Sequence, residues 1–135
     1  MKHKEILKMM ECVGEISFKV DTENLDFTFS GDHAKDTRPA VYAWVCDDEI
    51  VYIGKAGRGL KVRMRQQANG FRGSGRGRAH FDFLAPLIST GKSIKLWAMW
   101  PGTVKFKDHD VPMHSAIEDW LIAVADPKPV RNQAG

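Results

Sequence analysis

The chain is 135 residues long, enough for one domain with a real core and too little for two. With 43% apolar and 27% charged residues it reads as an ordinary globular chain. It has no run long enough to cross a membrane, no apolar leader after Met1, and in Cys12 and Cys46 too few thiols for a disulfide framework or a four-ligand zinc site, so a reducing cytoplasm is expected. The net charge of +3 is unevenly spread: Lys55 to Arg78 holds eight Lys or Arg and no Asp or Glu, a local basic surface suited to a polyanion.

Residues 1–38 read as an extension ahead of the main body. They predict a helix over about Glu5 to Cys12 and then a hairpin, because Ile16, Phe18 and Val20 alternate, residues 21–24 suit a turn, and Leu25, Phe27 and Phe29 alternate again. This is packing or dimer-forming material without chemistry, and His33 and Asp36 fall in a polar connector. Val41 to Val45 and Ile50 to Ile53 are β-branched and aromatic runs around Asp47-Asp48, which predicts a second hairpin. A two-residue turn would pair Tyr42 with Ile53 and set Tyr42 and Tyr52 on opposite faces. A three-residue turn over Cys46-Asp47-Asp48 pairs Tyr42 with Tyr52. The second register is preferred, since it gathers Val41, Ala43, Val45, Val51 and Ile53 on one apolar face and leaves Tyr42, Trp44, Tyr52 and Ile50 on the other.

Gly54 ends the strand, Gly57 and Gly59 turn the chain, and a helix of about three turns starts near Leu60. Leu60, Arg63, Met64 and Gln67 share one stripe, so Arg63 points at the sheet, where a guanidinium needs an anionic partner. Between Asn69 and His80 glycines alternate with Arg72, Arg76 and Arg78, the composition of a loop that follows a phosphate backbone closely and grips it with forked donors. Phe81 to Thr90 predicts a helix, with Pro86 in an early turn or at a kink. Ser93 to Trp100 predicts a third strand beside the hairpin, and Pro101 to Val111 a polar loop bearing Lys105, Lys107 and His109. A last helix runs from about Pro112 or Met113 to Ala125, with Ile117, Leu121 and Val124 inward and His114 and Glu118 on its border. Residues 127–135 read as a basic tail.

Ala40-Val41-Tyr42, then Tyr52-Ile53-Gly54-Lys55, then Leu60-x-x-Arg63 resembles the GIY-YIG endonuclease superfamily, and among its members the small single-domain phage endonucleases of the endonuclease II type. The likeness covers about residues 39–132. The second motif matches literally, whereas Ala40 and Val41 replace the glycine and isoleucine of the first. The resemblance implies an α/β (α+β) single domain: a small three-stranded antiparallel sheet flanked by helices, with residues 1–38 as an N-terminal β-hairpin extension. It implies DNA, double-stranded, as partner and a divalent cation, Mg²⁺ or Mn²⁺, as cofactor, in a bacterial or phage-infected cell. In that scheme Glu118 is the metal ligand, Arg63 clamps the scissile phosphate, and Tyr42 is the general base. Tyr52 positions water or phosphate, and Lys55 stabilises phenolate or contacts phosphate.

Lys55, Arg58, Lys61, Arg65, Arg72, Arg76 and Arg78 are the candidate DNA-binding residues. His80, His114 and Asn132 are candidates for support, Asn132 because many family members carry a bracing asparagine there. Gln67 stands where the family usually has a histidine, which keeps open an alternative: a catalytically inactive nucleic-acid-binding module on the same scaffold. A third reading is an RNA-binding scaffold that uses the Arg-Gly loop. Cutting both strands with one site per chain requires either a homo-oligomer or rebinding.

Overall fold

A computed structural model describes residues 1–18, 24–70 and 75–133. The chain runs α1 (His3–Leu7), β1 (Glu11–Phe18), β2 (Leu25–Phe29), a 3-10 turn (His33–Lys35), β3 (Ala40–Cys46), β4 (Glu49–Ala56), α2 (Leu60–Gly70), α3 (Arg76–Ser89), β5 (Ile94–Met99), β6 (Thr103–Phe106), β7 (His109–Pro112), α4 (His114–Val124) and α5 (Val130–Gln133). Five strands form one antiparallel sheet in the order β2-β1-β5-β3-β4. The class is α+β as expected, but the N-terminal hairpin is not an appendage to a three-stranded sheet. It extends the sheet by pairing β1 with β5, Glu15 opposite Lys95 and Ile16 opposite Ile94.

The β3–β4 hairpin departs from both registers read from the sequence. Asp47 and Asp48 both take positive φ, 51° and 65°, the backbone of a tight two-residue turn whose twist suits a hairpin. Val45 pairs with Ile50, and a bulge then shifts the ladder so that Trp44 lies opposite Tyr52, Ala43 opposite Ile53 and Tyr42 opposite Gly54. The preferred pairing of Tyr42 with Tyr52 is therefore wrong, though the two rings do share a face, with centroids 6.1 Å apart. A bulge adds one unpaired residue, and residues before and after it exchange faces. Ile50 accordingly joins Val41, Ala43, Val45 and Ile53, while Val51 joins the aromatic side.

Both faces of the sheet are covered. On one, Tyr42, Trp44, Val13, Ile16, Leu25 and Leu96 pack with Leu60 and Met64 of α2 and Leu84 of α3. On the other, the small and branched residues of β3 and β4 meet Ile6 of α1, Leu121 of α4 and Ala125 just after it. Strand β3 is buried along its whole length, whereas β4 exposes Glu49 and Lys55.

Three predicted boundaries move. The first helix ends at Leu7 and the chain is extended from Glu11. Its His3 is buried, with Nδ1 accepting from the Ile50 amide at 2.9 Å, and the N-terminal ammonium donates to the Val124 carbonyl. Helix α3 starts at Arg76, behind Gly75, so Arg76 and Arg78 belong to a helix and not to a glycine loop; Arg72 lies outside the described residues. The predicted loop over Pro101 to Val111 is the β6–β7 ribbon, turned by Lys107 and Asp108 at φ 50° and 67°. Cross-strand pairing sets Val104, Val111 and Phe106 on one of its faces, with Lys105 and Asp110 paired at 2.8 Å on the other. Among the described residues no helix is long and apolar enough to cross a membrane.

Candidate functional site

Tyr42 has no exposed surface, and its ring lies across β4 at Gly54. A Cβ at position 54 would stand 2.5 Å from the Tyr42 hydroxyl, so the glycine is required by close approach of the ring. The hydroxyl accepts a hydrogen bond from Gln67 Nε2 at 2.8 Å, and the Arg63 guanidinium also bonds it. Burial pushes the phenol well above its usual range, reinforced by Tyr52 and opposed by Arg63 and Gln67, so Tyr42 is neutral near pH 7. Gly54→Ala is expected to cost about 1–3 kcal/mol by overpacking, measured by chemical denaturation. A stability equal to wild type would show that the ring can move aside freely.

Arg63 turns inward as its place on the α2 stripe predicts. Its Nε is buried and has no hydrogen-bond partner, and no carboxylate of the described residues forms an ion pair with it. It borders a hollow of about 380 Å³ together with Lys55, Gly57, Arg58, Val62, Gln66 and His114. Lys55 reaches this hollow from β4 and donates to Ser115 Oγ at 3.2 Å. The same ammonium stands 4.0 Å from Glu118 Oε1.

Glu118 has a side chain only 15% exposed and borders a second hollow, about 200 Å³, with Tyr52, Ile53, His80, Ile122, Arg131 and Asn132. Asn132 braces this wall: its Oδ1 accepts from the Ile53 amide at 2.8 Å and its Nδ2 donates to the Ile53 carbonyl at 3.0 Å. The candidates thus form two neighbouring groups, Arg63, Arg58 and His114 on one side and Tyr52, Glu118, His80 and Asn132 on the other, with Lys55 bridging them. The Tyr42 hydroxyl is buried and meets Arg63 of the first group.

Two solved structures share this fold. One is the restriction endonuclease Hpy188I in complex with product DNA, with a TM-score of 0.58 and 17% identity over 94% of this chain and 82% of that one. The other is a mutant of bacteriophage T4 EndoII, with a TM-score of 0.73 and 15% identity over 93% and 96% of the two chains. At such identities the likeness is one of fold. No protein-family model and no curated protein matches the sequence.

Among the described residues the basic candidates border more than one hollow. Lys61 and Arg65 are exposed on α2 but border a different hollow, alongside Asp26, Phe27 and Phe29. Arg78 pairs with Asp82 at 3.1 Å and covers the Phe81 ring. Arg131, which read as part of a basic tail, is buried and donates from Nε to His80 Nδ1 at 3.1 Å; four residues of helix after Pro129 left no periodicity to reveal it. Among the described residues no three His, Cys, Asp or Glu side chains gather as a metal site. The donor set around Glu118 is one carboxylate at a polar hollow, which suits Mg²⁺, an ion that keeps most of its waters and takes one or two protein carboxylates.

Proposed function

We propose that this protein is an endonuclease of the GIY-YIG type that hydrolyses phosphodiester bonds in double-stranded DNA with Mg²⁺ or Mn²⁺. The observation that carries this reading is Arg63: its guanidinium bonds Tyr42 yet keeps a buried Nε–H with no protein acceptor, beside a hollow that also receives Lys55 and His114. A buried N–H without an acceptor costs about 1–3 kcal/mol, and a phosphate oxygen in the hollow would remove that cost. The names of the two structural neighbours, both endonucleases and one with product DNA, support the same class.

Arg63 clamps the phosphate with forked donors, and Lys55 and Arg58 add charge along its approach. Glu118 would hold the divalent cation, which when bound supplies activation of water and neutralises charge on the phosphate oxygens. Tyr52, half-buried beside Glu118, orients the attacking water. For Tyr42 burial argues against a base role, since its proton leaves only against the desolvation that raises its pKa. Its hydroxyl serves as an inner support that holds Arg63 together with Gln67. Asn132 keeps β4 in register under Tyr52.

That buried neutral phenol also favours a second reading, a module that binds DNA and does not cut it. Supercoiled plasmid incubated with Mg²⁺, Mn²⁺ or EDTA separates the two. Nicked or linear product only with a divalent ion is expected, while bound DNA without product under any ion would establish the binding module instead.

A further inference from the structure

The hollow at Glu118 has a wall for which the proposed reaction assigns no duty: His80 on α3, 1% exposed, and Arg131 on α5, 8% exposed. Arg131 Nε donates to His80 Nδ1 at 3.1 Å. A guanidinium has donors only and keeps its proton in proteins, so Nδ1 must present its lone pair. A neutral imidazole that accepts at Nδ1 carries its hydrogen on Nε2, and a doubly protonated ring would set N–H against N–H. The ring is also held in orientation, with its centroid 5.0 Å from Trp44 at 77° and 5.1 Å from Tyr52 at 65°.

The four residues of α5 therefore fix two walls at once. Asn132 grips the backbone of Ile53, next to Tyr52, and the adjacent Arg131 sets the tautomer of His80. Glu118 and Tyr52, both able to accept a hydrogen bond, line the same hollow. We propose that Arg131 locks His80 as the Nε2–H tautomer, so that His80, which lines the Glu118 hollow, can offer only an N–H donor there and acts as a positioning residue, not as a base. This inference rests on the endonuclease reading for its catalytic consequence, though not for the tautomer itself. It also reverses the role a histidine near such a site would ordinarily invite, because the nitrogen that could take a proton from water is the one occupied by Arg131.

Nitrogen NMR of the His80 ring at neutral pH, in wild type and in Arg131→Met, reads the tautomer directly. The Nε2–H form is expected in wild type and a loss of that preference in the variant. In Mg²⁺-dependent cleavage, His80→Ala should lose about tenfold or more in kcat with KM for DNA changed by less than about threefold, the size of one hydrogen bond to a charged group. His80→Gln, whose amide nitrogen can occupy the place of Nε2, should recover most of the loss. An Nδ1–H tautomer or an imidazolium in wild type overturns the proposal, as does a folded His80→Gln no more active than His80→Ala. A wild type that cuts no DNA would refute the endonuclease reading, and the spectra alone would then decide the tautomer.

Discussion

Glu118→Ala is expected to lower Mg²⁺-dependent DNA cleavage by about a thousandfold or more, several kcal/mol of transition-state charge stabilisation, with DNA binding in EDTA undiminished. The two halves of this expectation have one cause. Glu118 brings a carboxylate, on a packed helix, to the edge of a hollow otherwise lined by neutral or basic groups. Lys55 stands 4.0 Å away. On the proposed reading, removing the carboxylate removes the ligand that would hold the ion and also releases Lys55 toward phosphate, so affinity for DNA should hold or rise. Glu118→Gln keeps the shape and hydrogen-bonding reach and should fail nearly as badly, because a hard cation prefers a charged oxygen. Plasmid nicking rates across a Mg²⁺ series, with gel-shift binding beside them, measure both. Cleavage by Glu118→Ala at the wild-type rate would remove Glu118 from the reaction.

Much of this arrangement was legible because periodicity reports burial. The stripe Leu60, Arg63, Met64 and Gln67 turns inward as its spacing requires, and Gln67, where the resemblance led to a histidine, is buried on the Tyr42 hydroxyl. Glu118 sits on the border of α4 where the apolar pattern left it. What escaped was whatever depends on a single inserted residue or on distant chain meeting distant chain. The bulge between Trp44 and Val45 turns on one residue of register, and alternation alone cannot count it, because two half-registers give equally apolar faces. Alternation divides the hairpin into an apolar face and an aromatic one and does not say what covers the second; α2 and α3 cover it, and their packing is a tertiary fact.

The Arg131–His80 bond joins residues 51 apart in sequence, and nothing local in a Pro-Lys-Pro-Val-Arg-Asn segment announces it. The β6–β7 ribbon was missed because its polar composition outweighed its alternation. Phe106 at 63% exposure shows a strand pattern that serves no core of this chain.

Arg63 gives the sharpest separation of function from stability. Arg63→Met should abolish cleavage by about 10²- to 10³-fold in kcat, the usual loss when one donor to a developing oxyanion is removed. Arg63→Lys should recover little of it, since a point charge lacks the fork that meets two phosphate oxygens at once. Stability should move the other way. In the folded protein Arg63 Nε is buried without an acceptor, which costs about 1–3 kcal/mol. Against that stands its hydrogen bond to the Tyr42 hydroxyl, which Gln67 continues to satisfy at 2.8 Å. Methionine fills a similar volume between Leu60 and Met64 with no polar atom to satisfy, so denaturation free energy should equal wild type or exceed it by about 1 kcal/mol. A residue retained for the fold would show the opposite, a loss of stability along with activity. If Arg63→Met proved several kcal/mol less stable, the guanidinium would be a structural strut, and the hollow beside it would lose its claim to a phosphate.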